Sequence, residues 1–179
     1  MNDEEAASSG VSASPAREVP IPFFPVSLRK LVIMTFCTFG LYSLYWQFCH
    51  WLYIRDYRGE RFLPGARALF AIFFCYPLFR TIQSHGRSAG VPLGPPAGLL
   101  AIGWILFALC GYLPAPFFLL YFVSIVFLIP VQRAANAINK LVSPDHNPNG
   151  AFSVLNKVTI VAGGLLLIFT VIGACLPLR

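Results

Sequence analysis

Charge is what this sequence has least of. Residues 88–132, about 45 positions, contain no Asp, Glu, Lys or Arg. That excludes a solvated surface segment and exceeds what a soluble core helix needs. A helical crossing of a bilayer takes roughly 20 apolar residues, so the stretch has room for two. It is broken at Leu113-Pro114-Ala115-Pro116, where two prolines remove backbone donors and stop a helix. The reading is a transmembrane helical hairpin. Over the whole chain 11% of residues are charged, against about 25% in soluble domains. Cysteine is sparse as well: Cys37, Cys49, Cys75, Cys110 and Cys175 form no CxxC pair and no metal-ligand spacing. They read as small apolar fillers, with Cys110 and Cys175 the one pair placed to meet. Neither a basic start nor a small-residue cleavage site points to a removable secretory signal.

What the chain does have is apolar and aromatic surface. Of its 179 residues 57% are hydrophobic and 15% aromatic, with 17 Phe, 7 Tyr and 3 Trp. Trp and Tyr favour the headgroup boundary. The length fits one compact membrane domain. The net charge of +6 reads as basic loops facing an anionic leaflet, and nothing resembles a nucleic-acid footprint. Residues 1–27 are assigned to a disordered, cytoplasmic N-terminal tail: the first part is small and polar, and Pro15, Pro20, Pro22 and Pro25 keep the rest extended. Residues 28–179 form the transmembrane helical domain.

That domain contains about five apolar segments, over residues 28–54, 68–79, 97–113, 117–131 and 158–176. The fold class expected is all-α and polytopic, read as five ordinary crossings. The first two segments also allow a re-entrant or interfacial course, because the second is short and the first is interrupted at Thr38-Phe39-Gly40. Arg and Lys cluster around residues 55–67, 80–87 and 133–157, whereas the Pro114 turn has none. The positive-inside tendency therefore puts that turn and the C-terminus outside. Five crossings leave the 55–67 loop outside, against the charge bias. Two dips bring every basic flank to the cytoplasmic side.

Thr38-Phe39-Gly40-Leu41-Tyr42 with Tyr45-Trp46 and Trp51, then Arg67-Ala68-Leu69-Phe70, resemble a group of small bacterial multipass membrane proteins of unknown function. Pro130-Val131-Gln132, Ala135-Asn136-Ala137-Ile138-Asn139, Asn149 and Gly163-Gly164 carry the same resemblance. It covers the chain from Leu28 onward. The resemblance implies bacterial origin and a membrane location, and brings no activity, cofactor or catalytic residue; for an all-α chain of bacterial origin the location expected is the inner membrane.

The candidate interaction face is Gln132, Asn136 and Asn139, spaced i, i+4, i+7, so a helix aligns them on one stripe. Either they bond neighbouring helices or they dock a protein or a lipid headgroup. Gly163 and Gly164 are the candidate helix-packing residues, since small side chains let backbones approach in lipid. The turn cluster over residues 143–150 has one carboxylate, Asp145, too few for a calcium loop. Asp56 and Glu60 stand four apart but interleave with Arg55, Arg58 and Arg61, a pattern of solvated surface more than of a metal pair. His50 and His85 have unrelated spacing. No ionisable residue lies deep in a clear span, which counts against an ion-coupled pathway. The expectation is a membrane accessory or interaction protein with no assigned enzymatic activity, metal or cofactor, and with lipid and other membrane proteins as partners. A small transporter or channel subunit is the alternative, and a lipid-modifying enzyme the third.

Overall fold

A computed structural model describes residues 20–92 and 94–175, the side chain of Cys175 excepted. The expectations for residues 1–19, for the extreme C-terminus and for a Cys110–Cys175 pair lie outside the described residues. Those described form helices and connecting turns, with no strand among them. The helices are α1 (Leu28–Cys37), α2 (Leu41–Arg58), α3 (Pro64–Leu69), α4 (Ala71–Ser88), α5 (Ala97–Leu109), α6 (Ser124–Val142) and α7 (Val154–Cys175). Short 3-10 turns at Cys110–Tyr112 and Phe117–Val123 flank the proline break.

Among the described residues two helices are long and apolar enough to cross a membrane, Phe117–Val142 and Val154–Ala174, and Ala97–Tyr112 is a shorter apolar helix. This corrects the reading of about five spans. The first apolar run is divided into α1 and α2, and the second is joined to polar flanks on either side. The division of the first run is local chemistry. Ser27 caps α1, its side chain accepting from the Lys30 N–H at 3.2 Å. At the other end the Thr38 hydroxyl donates to Met34 O at 2.7 Å and accepts from the Tyr42 N–H at 2.9 Å. One side chain thus closes α1 and opens α2. Gly40 between them has φ 88°, a left-handed conformation that glycine adopts without steric cost. A Cβ there would also overlap the Tyr121 ring. α2 ends at Gly59, with Arg55 and Arg58 in its last turn.

The second run bends at Phe70, where α3 gives way to α4. Arg67 is held over aromatic faces at this bend, its guanidinium carbon 3.7 Å from the Phe62 ring centre and 4.4 Å from that of Trp51. α4 hands over to α5 through Gln83, whose side chain donates to Pro95 O at 2.6 Å and accepts from the Ala97 N–H at 2.8 Å. α5 packs on α6 at Gly103, where a Cβ would strike the Phe127 ring.

The contacts put the elements in one vertical order. The turn at Phe39-Gly40 and the bend at Phe70 share a cleft with Tyr112 and Tyr121, next to the Pro114 turn. At the opposite end, Tyr53, Asp56 and Tyr57 of α2 face Ser143, Asp145 and His146. α1–α2 and α3–α4 are therefore two helical hairpins pointing the same way. The core lies between them and the α5–α6 pair, built on Leu31, Trp46, Leu78, Phe79, Ile82 and Leu128. α7 stands at the side against α1, with Val158, Val161, Leu165, Leu166 and Phe169 exposed.

Candidate functional site

The Gln132–Asn136–Asn139 stripe is covered by the chain's own residues 20–27, which the sequence assigns to the tail. Phe23, Phe24 and Val26 of this strap are buried. An extended segment inside a helical protein has no partner strand for its peptide groups, so something else must satisfy them. Prolines at 20, 22 and 25 remove three of its donors. The side-chain amides of α6 meet one of the remaining N–H groups and three of the carbonyls. Asn139 bonds Phe23 in both directions, accepting its N–H at 3.2 Å and donating to its carbonyl at 2.7 Å. Asn136 donates to Val26 O at 2.9 Å, and Gln132 to Phe24 O at 3.1 Å.

Gln132 is the centre of this network. Its Oε1 accepts from Trp46 Nε1, and His50 Nε2 lies 3.0 Å from the same oxygen. An indole N–H only donates, which fixes the orientation of the Gln132 amide. The carbonyl oxygen only accepts, so His50 carries its proton on Nε2 and leaves Nδ1 as an acceptor. The Gln132 Nε2 donates to Phe24 O and, at 2.7 Å, to Asn136 Oδ1. All four bonding positions of the amide are used.

His50 is fully buried, and α2 lies outside the two long apolar helices. Burial pushes its pKa down to about 4, with the Gln132 bond opposing the shift. The imidazole is thus neutral near pH 7, packed 4.4 Å centre to centre against Trp46. Its Nδ1 has no hydrogen-bond partner, nor does the fully buried amide of Gln47. The site is a neutral amide–imidazole–indole network around a backbone strap. Its chemistry is that of a lock: directional bonds hold one conformation and no ionised group is present.

The other sequence candidates fall elsewhere. Asp56 pairs with Arg55 at 2.8 Å and Glu60 with Arg58 at 3.3 Å, both on the surface. They do not converge with buried His50. His85 bonds Thr81 O through Nδ1 at 3.0 Å and meets the Phe23 ring edge-on. Among the described residues no group of three His, Cys, Asp or Glu side chains is placed to hold a metal. Gly163 sits against the Cys37 carbonyl, where a Cβ would overlap it, whereas Gly164 has open space.

Sequence reasoning passed over Trp46, His50 and Lys30 as members of polar clusters. Trp46 and His50 do stand four apart, one helical turn, and that spacing was a usable signal. Lys30 follows Arg29 at the head of an apolar run, the place of an ordinary basic flank, but it is 6% exposed.

No family model, curated protein or solved structure matches this chain.

Proposed function

We propose that this chain is an integral membrane protein with an accessory or interaction role, built around two re-entrant hairpins and three crossings. The observation that carries the reading is α7. It is a 22-residue apolar helix seated against α1, with large hydrophobic side chains exposed along its length. Such a surface needs lipid or another apolar partner around it. In this reading α5, α6 and α7 cross, while α1–α2 and α3–α4 dip in and return. The basic segments around Arg55, Arg87, Arg133 and Lys157 then share the cytoplasmic side with the N-terminus. The Pro114 turn and the C-terminus face outward, in agreement with the positive-inside tendency. The resemblance to small bacterial multipass proteins supports the inner membrane as location.

A single cysteine introduced at Gly59 in a cysteine-free background should resist an impermeant thiol reagent in intact spheroplasts, and one at Ala115 should react. Labelling at Gly59 would mean that α2 crosses, and the dip model would fail. The interaction role is tested by photo-crosslinkers at Phe169 and Val161, which are exposed on α7. One defined protein adduct supports the role. Lipid-sized adducts alone would overturn it and leave the membrane location standing.

A further inference from the structure

Between α1, α2 and the start of α7 lies a cleft of about 730 Å³, lined by Lys30, Met34, Tyr42, Tyr45, Asn156 and Thr159 among others, with no Asp or Glu among the described residues of its wall. Lys30 enters it from below and is only 6% exposed. Its ammonium donates to Asn149 Oδ1 at 2.8 Å and to Ala151 O at 2.9 Å. An ammonium has three donors, so one remains for an occupant. The ion pairs among the described residues are Arg55–Asp56 and Arg58–Glu60, and Lys30 belongs to neither. A charge removed from water without a counter-charge is costly, and an anion in the cleft would offset that cost. α7 begins at the same wall, where Ser153 Oγ accepts from the Asn156 N–H at 3.2 Å. The positive end of a 22-residue helix adds to the same field. Away from Lys30 the cleft turns apolar, through Met34, Leu41 and Leu155.

We propose that this cleft binds an anionic phospholipid, its phosphate on Lys30 and the α7 start and its chain along Met34 and Leu41. The occupant combines one anionic oxygen group with an apolar tail, the two properties the wall presents. The proposal rests on the membrane reading above in one respect: this end of the protein must lie at headgroup level.

The test uses the full chain in mild detergent, stripped of lipid and titrated with phosphatidylglycerol or phosphatidylcholine, bound lipid being read by native mass spectrometry. Phosphatidylglycerol should bind about tenfold or more tightly, the worth of a charge-assisted hydrogen bond. Lys30→Met should remove the preference. Because Lys30 also holds the 149–151 loop, Asn156→Asp is the second variant. It places a carboxylate in the cleft at a helix start, where an acid favours folding. It should retain thermal stability and weaken phosphatidylglycerol about tenfold. An unchanged preference in Asn156→Asp overturns the site, as does equal binding of the two lipids by the wild type. Inorganic phosphate at low millimolar concentration that displaces phosphatidylglycerol completely would make this a small-anion site and overturn the lipid assignment. Carbonate-resistant membrane retention is measured in parallel. Retention without lipid preference overturns only the cleft, whereas loss of retention overturns the membrane reading.

Discussion

Replacing Gln132 by leucine is the sharpest perturbation of the core network. The side chain of Gln132 is fully buried and serves Trp46, His50, Phe24 and Asn136. Leucine has similar volume, so the packing loss is small and the polar loss dominates. Two buried donors, Trp46 Nε1–H and His50 Nε2–H, are left without an acceptor. An unsatisfied buried polar group costs ~1–3 kcal/mol, so the pair contributes on the order of 2–6 kcal/mol. Asn136→Ala is the comparison. Asn136 is half-buried, so water can take the place of both its bonds, to Val26 O and from Gln132 Nε2, and the expected cost is ~0.5–1.5 kcal/mol for each. Reversible unfolding in mixed micelles, followed by circular dichroism, measures both. Combining Gln132→Leu with Trp46→Phe removes one orphaned donor, so the double variant should be more stable than the sum of the singles by about 1 kcal/mol or more. A Gln132→Leu protein no less stable than Asn136→Ala, or strict additivity in the cycle, would refute the network as the lock on the strap.

Acidification should weaken the fold through His50: its pKa falls from the ordinary value of 6.5 to about 4 on folding, so the unfolded chain binds the extra proton first. Stability is complete above about pH 6.5 and declines toward pH 4, by on the order of 2 kcal/mol at pH 5. His50→Gln should flatten that part of the profile, and an unchanged slope would remove His50 as its cause. In the last helix, Gly163→Val should lower the detergent melting temperature clearly more than Gly164→Val, because the first meets the Cys37 carbonyl and the second meets open space; equal losses would refute the α1–α7 contact. Gly40→Ala should destabilise by about 1–2 kcal/mol or more, from left-handed strain and the Tyr121 overlap together. Adding Tyr121→Ala should recover only the overlap part, and full recovery would mean that the backbone conformation contributes nothing.

The helical class was legible because apolar runs and proline breaks are local signals. The i, i+4, i+7 alignment of Gln132, Asn136 and Asn139 was legible as well, since 3.6-residue periodicity fixes which side chains share a face. What covers that face was not. The strap offers mainly backbone N–H and C=O groups, which every residue carries, so no residue type advertises the match. Its proline content pointed to an extended segment, and that was read as disorder. The difference between the two is the burial of Phe23, Phe24 and Val26. That burial depends on contacts more than a hundred positions along the chain, such as Phe23 with Asn139. Gly163 and Gly164 show the same limit. Adjacent glycines look equivalent in sequence, but successive residues on a helix point about 100° apart, so a neighbouring helix meets one of them.

A hairpin that dips into lipid and returns is stable only if its turn exposes no unsatisfied peptide group. The first turn meets that condition from local residues, and the second meets it in part. At the first, the Thr38, Phe39 and Gly40 N–H groups donate to Met34, Phe36 and Thr35 carbonyls, and the Thr38 hydroxyl takes the Tyr42 N–H. At the second, the Phe70 N–H donates to Ala66 O and the Phe73 N–H to Phe70 O. Aromatic side chains then cover the turns, with Tyr121 against Gly40 and Tyr112 in the cleft shared with Phe70. The arrangement explains why the aromatic group 42–46 follows the glycine directly. It also explains the polar network lower down. A hairpin that returns to its own side lacks the anchoring of a full crossing, and Gln132, reaching Trp46, His50 and Phe24 at once, ties the first hairpin and the strap to α6, a helix that does cross in this reading.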